Sequence, residues 1–171
     1  MNPNHLHGLD IDGQKNSIRE EITDKLKSMT PEQRAEYSAR INSALESTDE
    51  YRNAKIIAAF KPYPTEPQIN INDPRIALPE VHDNGEMDFR IGNRVVAPAE
   101  IDLIIVPCRA YDPDTKQRLG RGGGYYDRYL TQVQAPKFAV AYSAQAVENL
   151  PVEDHDVPVG VIFTEFSTPS E

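Results

Sequence analysis

The chain has 171 residues, of which 39% are apolar and 26% charged, and its 18 Lys and Arg against 27 Asp and Glu give a formal net charge of −9. That length and composition suit one domain with a packed core and exclude a disordered or fibrous chain. The acidic balance repels phosphate backbones, so no nucleic-acid partner is expected, and no run approaches the roughly eighteen apolar residues of a membrane span.

Residues 1–14 are polar, without periodicity, and predict a poorly ordered tail in which His5 and His7 are accidental neighbours rather than a metal pair. The absence of a basic flank followed by an apolar stretch there makes a cytoplasmic location the default. From Lys15, the residues Ile18, Ile22, Leu26 and Met29 recur at helical spacing and predict an amphipathic helix. Thr30-Pro31-Glu32-Gln33 combines an N-cap, a proline at the first helical position and a Gln able to close a capping box. A second helix follows to about Leu45, burying Tyr37, Ile41 and Leu45. The apolar run Lys55 to Phe60 predicts a strand buried on both faces, ending at Pro62. Four prolines between Lys61 and Pro74 predict an extended loop. Arg75 to Pro79 and Met87 to Ile91 read as strands, with Asn84-Gly85 as the turn between them. Asp102 to Pro107 is the strongest buried strand, followed by a long loop from Cys108 to Gly124. A helix from Tyr125 to Val133 and strands at Lys137 to Tyr142 and Val159 to Thr164 complete the chain. Buried strands interleaved with helices predict an α/β fold: one three-layer domain with a mainly parallel central sheet and helices on both faces.

Ligands of such sheets bind where strands end, which draws attention to Arg118-Leu119-Gly120-Arg121-Gly122-Gly123-Gly124-Tyr125-Tyr126-Asp127-Arg128. Four basic residues and one acid between Lys116 and Arg128 reverse the sign of the acidic chain locally. Glycines let the backbone approach a ligand closely, a helix opening after Gly124 aims N–H groups at an anion, and arginine forks match phosphate oxygens. The loop is neither a P-loop, lacking Gly-Lys-Ser/Thr, nor a dinucleotide fingerprint, since Tyr125 stands where glycine is needed. The bland alternative is a solvated surface loop, with Asp127 a first-turn acid favoured by the helix dipole.

The stretch from Arg118 to Leu130, RLGRGGGYYDRYL, resembles the ATP-binding signature of the 5-formyltetrahydrofolate cyclo-ligase family, also called methenyltetrahydrofolate synthetases. Asp102 to Pro107, Tyr111-Asp112, Ala141 to Gln145 and Pro151 to Asp156 resemble its neighbouring segments in the same order. The resemblance implies a cyclo-ligase-like domain over residues 15–171. It also implies ATP and Mg²⁺ as cofactors, and a reaction in which the formyl oxygen of 5-formyltetrahydrofolate is phosphorylated, N10 attacks and phosphate leaves. It assigns nucleotide binding to Lys15, Arg19, Arg118, Leu119, Gly120, Arg121, Gly122, Gly123, Gly124, Tyr125 and Tyr126, and metal binding to Asp127 and Asp156. Substrate contacts fall on Lys61, Glu66, Met87, Arg121, Gly122, Gly123, Gly124 and Tyr125, and catalytic roles on Arg121, Tyr125 and Tyr126. Without the resemblance, Lys15 and Arg19 would read as a solvated helix face and Glu66 as an exposed loop carboxylate.

The chain departs from the family pattern on its folate side. The connection from Phe60 to Arg75 has no room for the helix usual there, and Gly92 to Pro98 is compressed. Gly160 replaces a frequent acid, and Cys108 stands where glycine is common, as a small buried residue rather than a nucleophile. His82 and His155 read as surface residues. The expected partner is a reduced folate, in a monomer or weak dimer. The alternatives are a degenerate member that binds nucleotide or folate without turnover, and a sugar-phosphate isomerase or acyl-carrier transferase on a similar sheet.

Overall fold

The structure, a computed structural model, describes residues 10–170. The expected tail falls mostly outside them, as do His5 and His7, but residues 11–14 form the first turn of helix α1 (Ile11–Ser28). Asp10 starts this helix ahead of the expected Lys15, its Oδ1 accepting from the Gly13 N–H at 2.7 Å. Helix α2 (Pro31–Glu46) opens with the anticipated capping box: Thr30 Oγ1 accepts from the Gln33 N–H at 3.1 Å and Gln33 Oε1 from the Thr30 N–H at 3.0 Å. Ile41 and Leu45 are buried as expected, whereas Tyr37 is half-buried. A short helix α3 (Asp49–Asn53), capped by Thr48, was not anticipated, because five residues carry too little periodicity.

The strands are β1 (Ile57–Ala58), β2 (Ile76–Val81), β3 (Met87–Ile91), β4 (Arg94–Val96), β5 (Leu103–Val106), β6 (Ala110–Tyr111), β7 (Arg118–Leu119), β8 (Lys137–Val140) and β9 (Val161–Phe163). Seven of them form a sheet in the order β4-β3-β2-β1-β5-β8-β9. The pairs β2/β1, β1/β5, β5/β8 and β8/β9 are parallel, and β2/β3 and β3/β4 antiparallel. Three segments differ from the expected elements or add to them. The segment from Cys108 to Gly124 is not a plain loop but contains the antiparallel pair β6/β7. The compressed Gly92 to Pro98 segment carries β4, entered through Gly92 at φ +59°. Helix α4 (Tyr125–Leu130) stops short of Val133, its end closed by 3.0 and 3.3 Å bonds from the Gln132 and Val133 N–H groups to the Tyr129 and Leu130 carbonyls.

Alternation along the central strands builds two cores. Ile57, Ala59, Leu103, Ile105, Phe138 and Val140 pack with Ile18, Ile22 and Leu26 of α1 and Ile41 and Leu45 of α2. Ala58, Ala77, Ile104, Val106 and Ala139 face the other way, against Tyr129, Leu130 and Val133. Each buried Ile or Leu contributes roughly 1.5–3 kcal/mol, so the sheet is held from both sides in the expected three layers. Among the described residues no helix is long and apolar enough to cross a membrane.

One strand detail opens the site. The Ala59 N–H bonds the Ala77 carbonyl at 3.0 Å, so alternate residues of β2, Pro79 included, face the β1 side. β1 ends at Ala58, and the donor that proline lacks therefore has no strand to serve.

Candidate functional site

A cleft of about 840 Å³ lies beyond the carboxyl ends of β1 and β5. Its walls are the face of α1 (Asp12, Lys15, Asn16, Arg19), the loop after β1 (Lys61, Tyr63), the β2/β3 hairpin (Pro79, Val81, Met87), residues 118–127 and the 153–156 segment.

The β6/β7 pair and α4 hold the two ends of the glycine loop. Gly122 and Gly124 sit at φ +118° and +70°, which side chains rarely adopt. A Cβ on Gly123 would lie 2.4 Å from the Tyr125 ring, and one on Gly120 3.0 Å from Arg118 Nη1. Arg19 ties the loop to α1 by donating from Nε to the Gly120 carbonyl at 2.9 Å. Arg128 ties it to the hairpin: Nη1 donates to the Gly123 carbonyl at 3.1 Å and Nη2 to the Gly85 carbonyl at 3.4 Å.

Arg118 is 3% exposed. Its Nε and Nη1 are buried without a hydrogen-bond partner among the described residues, and its Nη2 lies 3.8 Å from Asp127 Oδ1. A buried guanidinium with two unsatisfied donors is costly, and in a cleft its chemistry matches a multivalent anion. Arg121 is differently placed. Its Nη2 and Nε pair with the two oxygens of Glu66, Nη2 also donates to the Lys61 carbonyl at 2.9 Å, and its guanidinium stacks 3.7 Å from the Tyr63 ring centroid.

Lys15 enters the cleft from α1 and donates to Asp156 Oδ2 at 2.6 Å and Glu153 Oε1 at 3.2 Å. Burial by itself lowers the Lys15 pKa, but the two carboxylates outweigh it and hold it above its ordinary value. Burial would likewise raise Asp156, yet the Lys15 ammonium and the Glu153 N–H hold it below the usual carboxylate range. Asp127 Oδ1 accepts from the Val157 N–H at 3.1 Å, linking α4 to the 153–156 segment. Among the described residues no group of three or more His, Cys, Asp or Glu side chains is arranged to hold a metal ion. Two carboxylates at the cleft remain compatible with Mg²⁺, which takes one or two protein carboxylates and completes its shell with water and phosphate oxygens.

Every residue to which the resemblance gives a nucleotide, substrate, metal or catalytic role lines this cleft except Glu66, which is 1% exposed and paired with Arg121, so it is no exposed loop carboxylate. Tyr126 lines the cleft but donates its hydroxyl to the Ala59 carbonyl at 3.1 Å, and burial pushes its phenol pKa well up, so it remains a protonated anchor. Burial pushes the Cys108 thiol up to about 12, in keeping with an inert core residue. His82 pairs with Asp88 at 2.8 Å, away from the cleft, whereas the exposed His155 lines it. Sequence reasoning missed Asp12 and Asn16, which share a helical face with Lys15 and Arg19 once α1 begins at Ile11. It also missed Tyr63, Pro79 and Val81, which carry no motif and meet only in the fold.

The model of the 5-formyltetrahydrofolate cyclo-ligase family matches residues 88–165. A 5-formyltetrahydrofolate cyclo-ligase of Mus musculus is 26% identical over 206 residues, covering 96% of this chain and 100% of its own. The solved structure of a 5,10-methenyltetrahydrofolate synthetase from Mycoplasma pneumoniae superposes with a TM-score of 0.80 at 29% identity, covering 88% of this chain and 98% of that one. A synthetase of the same name from Aquifex aeolicus gives a TM-score of 0.76 at 29% identity, with 91% of each chain covered.

Proposed function

Because the chain belongs to the 5-formyltetrahydrofolate cyclo-ligase family, a family of ATP-using ligases, we propose that it converts 5-formyltetrahydrofolate to 5,10-methenyltetrahydrofolate with ATP and Mg²⁺. ATP transfers its terminal phosphoryl group to the formyl oxygen, N10 attacks the activated carbon, and the C–O bond breaks as inorganic phosphate leaves. Phosphoryl transfer depends on positioning and charge neutralisation, and this cleft supplies both.

The observation that carries the reading is Arg118, a cleft-lining residue whose Nε and Nη1 are buried with no hydrogen-bond partner among the described residues, Nη1 lying close to Gly120. A polyphosphate satisfies both. Arg19 and the backbone of Gly120 to Gly124 extend the cradle, and Lys15 adds an ammonium from α1 that exchanges its carboxylates for phosphate oxygens. Asp127 and Asp156 hold the metal, which neutralises phosphate charge when bound. Pro79, Val81, Met87 and Tyr63 offer an apolar wall for the flat pterin, and the Tyr125 ring closes the loop side.

The test is turnover of the purified protein with 5-formyltetrahydrofolate, followed by the near-ultraviolet absorbance of the methenyl product. Product that requires both ATP and Mg²⁺ is the expected result. A second reading, a binder of nucleotide or folate without turnover, is favoured by the compressed segment at Gly92, which is only a tight turn into β4. ATP binding without product would select it.

A further inference from the structure

We propose that Arg128 is a positioning residue that couples the two sides of the cleft: its guanidinium spans the glycine loop and the tip of the β2/β3 hairpin, so that nucleotide and reduced folate each favour binding of the other. The inference rests on the reading of the cleft as an ATP and folate site. Arg128 does not line the cleft and acts through two segments that do. Nη1 donates to the Gly123 carbonyl at 3.1 Å, Nη2 donates to the Gly85 carbonyl at 3.4 Å, and the guanidinium carbon lies 5.0 Å from the centroid of the Tyr125 ring.

The hairpin tip has few other ties. Ile76 and Ala77 pair with β1 and residues 89–91 with β4, but the backbone of residues 80–88 pairs only within the hairpin, through Glu80 with Asp88, Val81 with Met87 and a 2.8 Å bond from the His82 N–H to the Glu86 carbonyl. A two-stranded arm is only marginally stable by itself. Its base is anchored, because Phe89 is fully buried and its ring packs 6.0 and 4.8 Å from those of Tyr126 and Tyr129. Opposed residues share a face, so the side that buries Phe89 continues outward as Pro79, Val81 and Met87, the apolar wall assigned to the pterin. Among the described residues no other hydrogen bond joins residues 80–87 to residues 118–128. The two contacts of Arg128 are unequal. The one to the loop is local and well within hydrogen-bond range, whereas the one to the hairpin is stretched. As the wall closes on a flat ring the tip approaches the loop, the longer bond shortens, and the Gly123 carbonyl is held for the phosphates. Phosphates that order the loop fix the fork, and with it the tip. Each ligand then finds the ordering entropy of the other's segment already lost.

The experiment is a calorimetric titration with the magnesium complex of a non-hydrolysable β,γ-imido analogue of ATP, with and without saturating 5-formyltetrahydrofolate, on the unsubstituted chain, Arg128→Met and Arg128→Lys. In the unsubstituted protein the folate is expected to tighten the analogue about tenfold, within the usual span of coupling between sites. Arg128→Met cuts that factor to less than about twofold and weakens the analogue alone by no more than about threefold, since the residue is exposed and outside the cleft lining. Arg128→Lys keeps the charge but not the planar fork that reaches two carbonyls, and behaves as Arg128→Met. General loosening of the fold weakens binding without removing the dependence of one ligand on the other. An equal loss of analogue affinity with and without folate would leave Arg128 a support of the loop alone and overturn the proposal, as would a coupling factor retained in either variant. Should Arg128→Met fail to fold, Arg128→Lys decides alone. An unsubstituted protein that binds both ligands with independent affinities overturns the coupling and keeps the site, whereas one that binds neither removes the reading of the cleft.

Discussion

Arg118→Met should make the nucleotide-free protein more stable and its nucleotide site worse. The side chain is 3% exposed, two of its donors are unsatisfied among the described residues, and its one ion pair is a loose 3.8 Å contact to Asp127. An unsatisfied buried donor costs about 1–3 kcal/mol, and apolar replacement of poorly paired buried charges often gains about 1–4 kcal/mol. Against this stands the lost attraction to Asp127, whose Oδ1 keeps the Val157 N–H. The net is a gain of roughly 1–2 kcal/mol, or about 3–6 °C in melting temperature for a chain of this size. Phosphate binding loses two charge-assisted hydrogen bonds, a weakening on the order of 100-fold in ATP affinity. Scanning calorimetry without ligand and titration with Mg-ATP read the two effects independently. A fall in melting temperature would show that Arg118 is well compensated in the folded protein, and unchanged ATP affinity would remove it from the phosphate cradle.

Lys15→Met removes the counter-ion of Asp156 and is expected to cost about 2–3 kcal/mol at neutral pH, since both side chains of the pair are under a tenth exposed. The raised Lys15 pKa contributes stability that is complete below the ordinary lysine value and lost as pH rises through the folded one. The depressed Asp156 pKa contributes stability present above the ordinary aspartate value and lost as pH falls through its folded one. Melting curves of the two proteins should therefore differ most between about pH 4 and pH 10 and converge outside that window; a constant difference would show that the ion pair is not its origin. Gly123→Ala places a methyl 2.4 Å from the Tyr125 ring and should weaken ATP binding about tenfold, with less than about 1 kcal/mol lost in stability because the half-buried ring can move. Unchanged affinity by titration would exclude that ring from the site. Asp127→Asn keeps an acceptor for the Val157 N–H but loses the charge, so the Mg²⁺ concentration for half-maximal turnover should rise several-fold at an unchanged melting temperature. A normal metal titration would leave Asp127 only the task of anchoring the 153–156 segment.

Much of the architecture is legible in local patterns. Ile18, Ile22 and Leu26 state the buried face of α1, Thr30 to Gln33 state the start of α2, and the apolar run at Leu103 to Val106 states the centre of the sheet. Elements set by few residues are not legible: α3 has five, β6 and β7 two each, and their formation depends on pairing partners distant in sequence. The start of α1 was hidden because Asp10 and Gly13 form a cap that carries no apolar repeat.

The candidate site divides along the same line. Its chemistry is local: glycines, arginines and tyrosines within Arg118 to Arg128 define the phosphate-type loop and the family resemblance by themselves, because backbone freedom and fixed charge are properties of residue type and spacing. Which of those charges is available to a ligand is not local. Arg118 and Arg121 are three positions apart and alike in sequence, yet one is buried with donors unspent and the other is gripped by Glu66, Lys61 and Tyr63 across 55 or more residues of chain. Lys15, read as a free phosphate ligand, meets Asp156 across 141 residues. Hydrogen-bond saturation and burial depend on which distant segment folds against a side chain, and only the tertiary structure decides that.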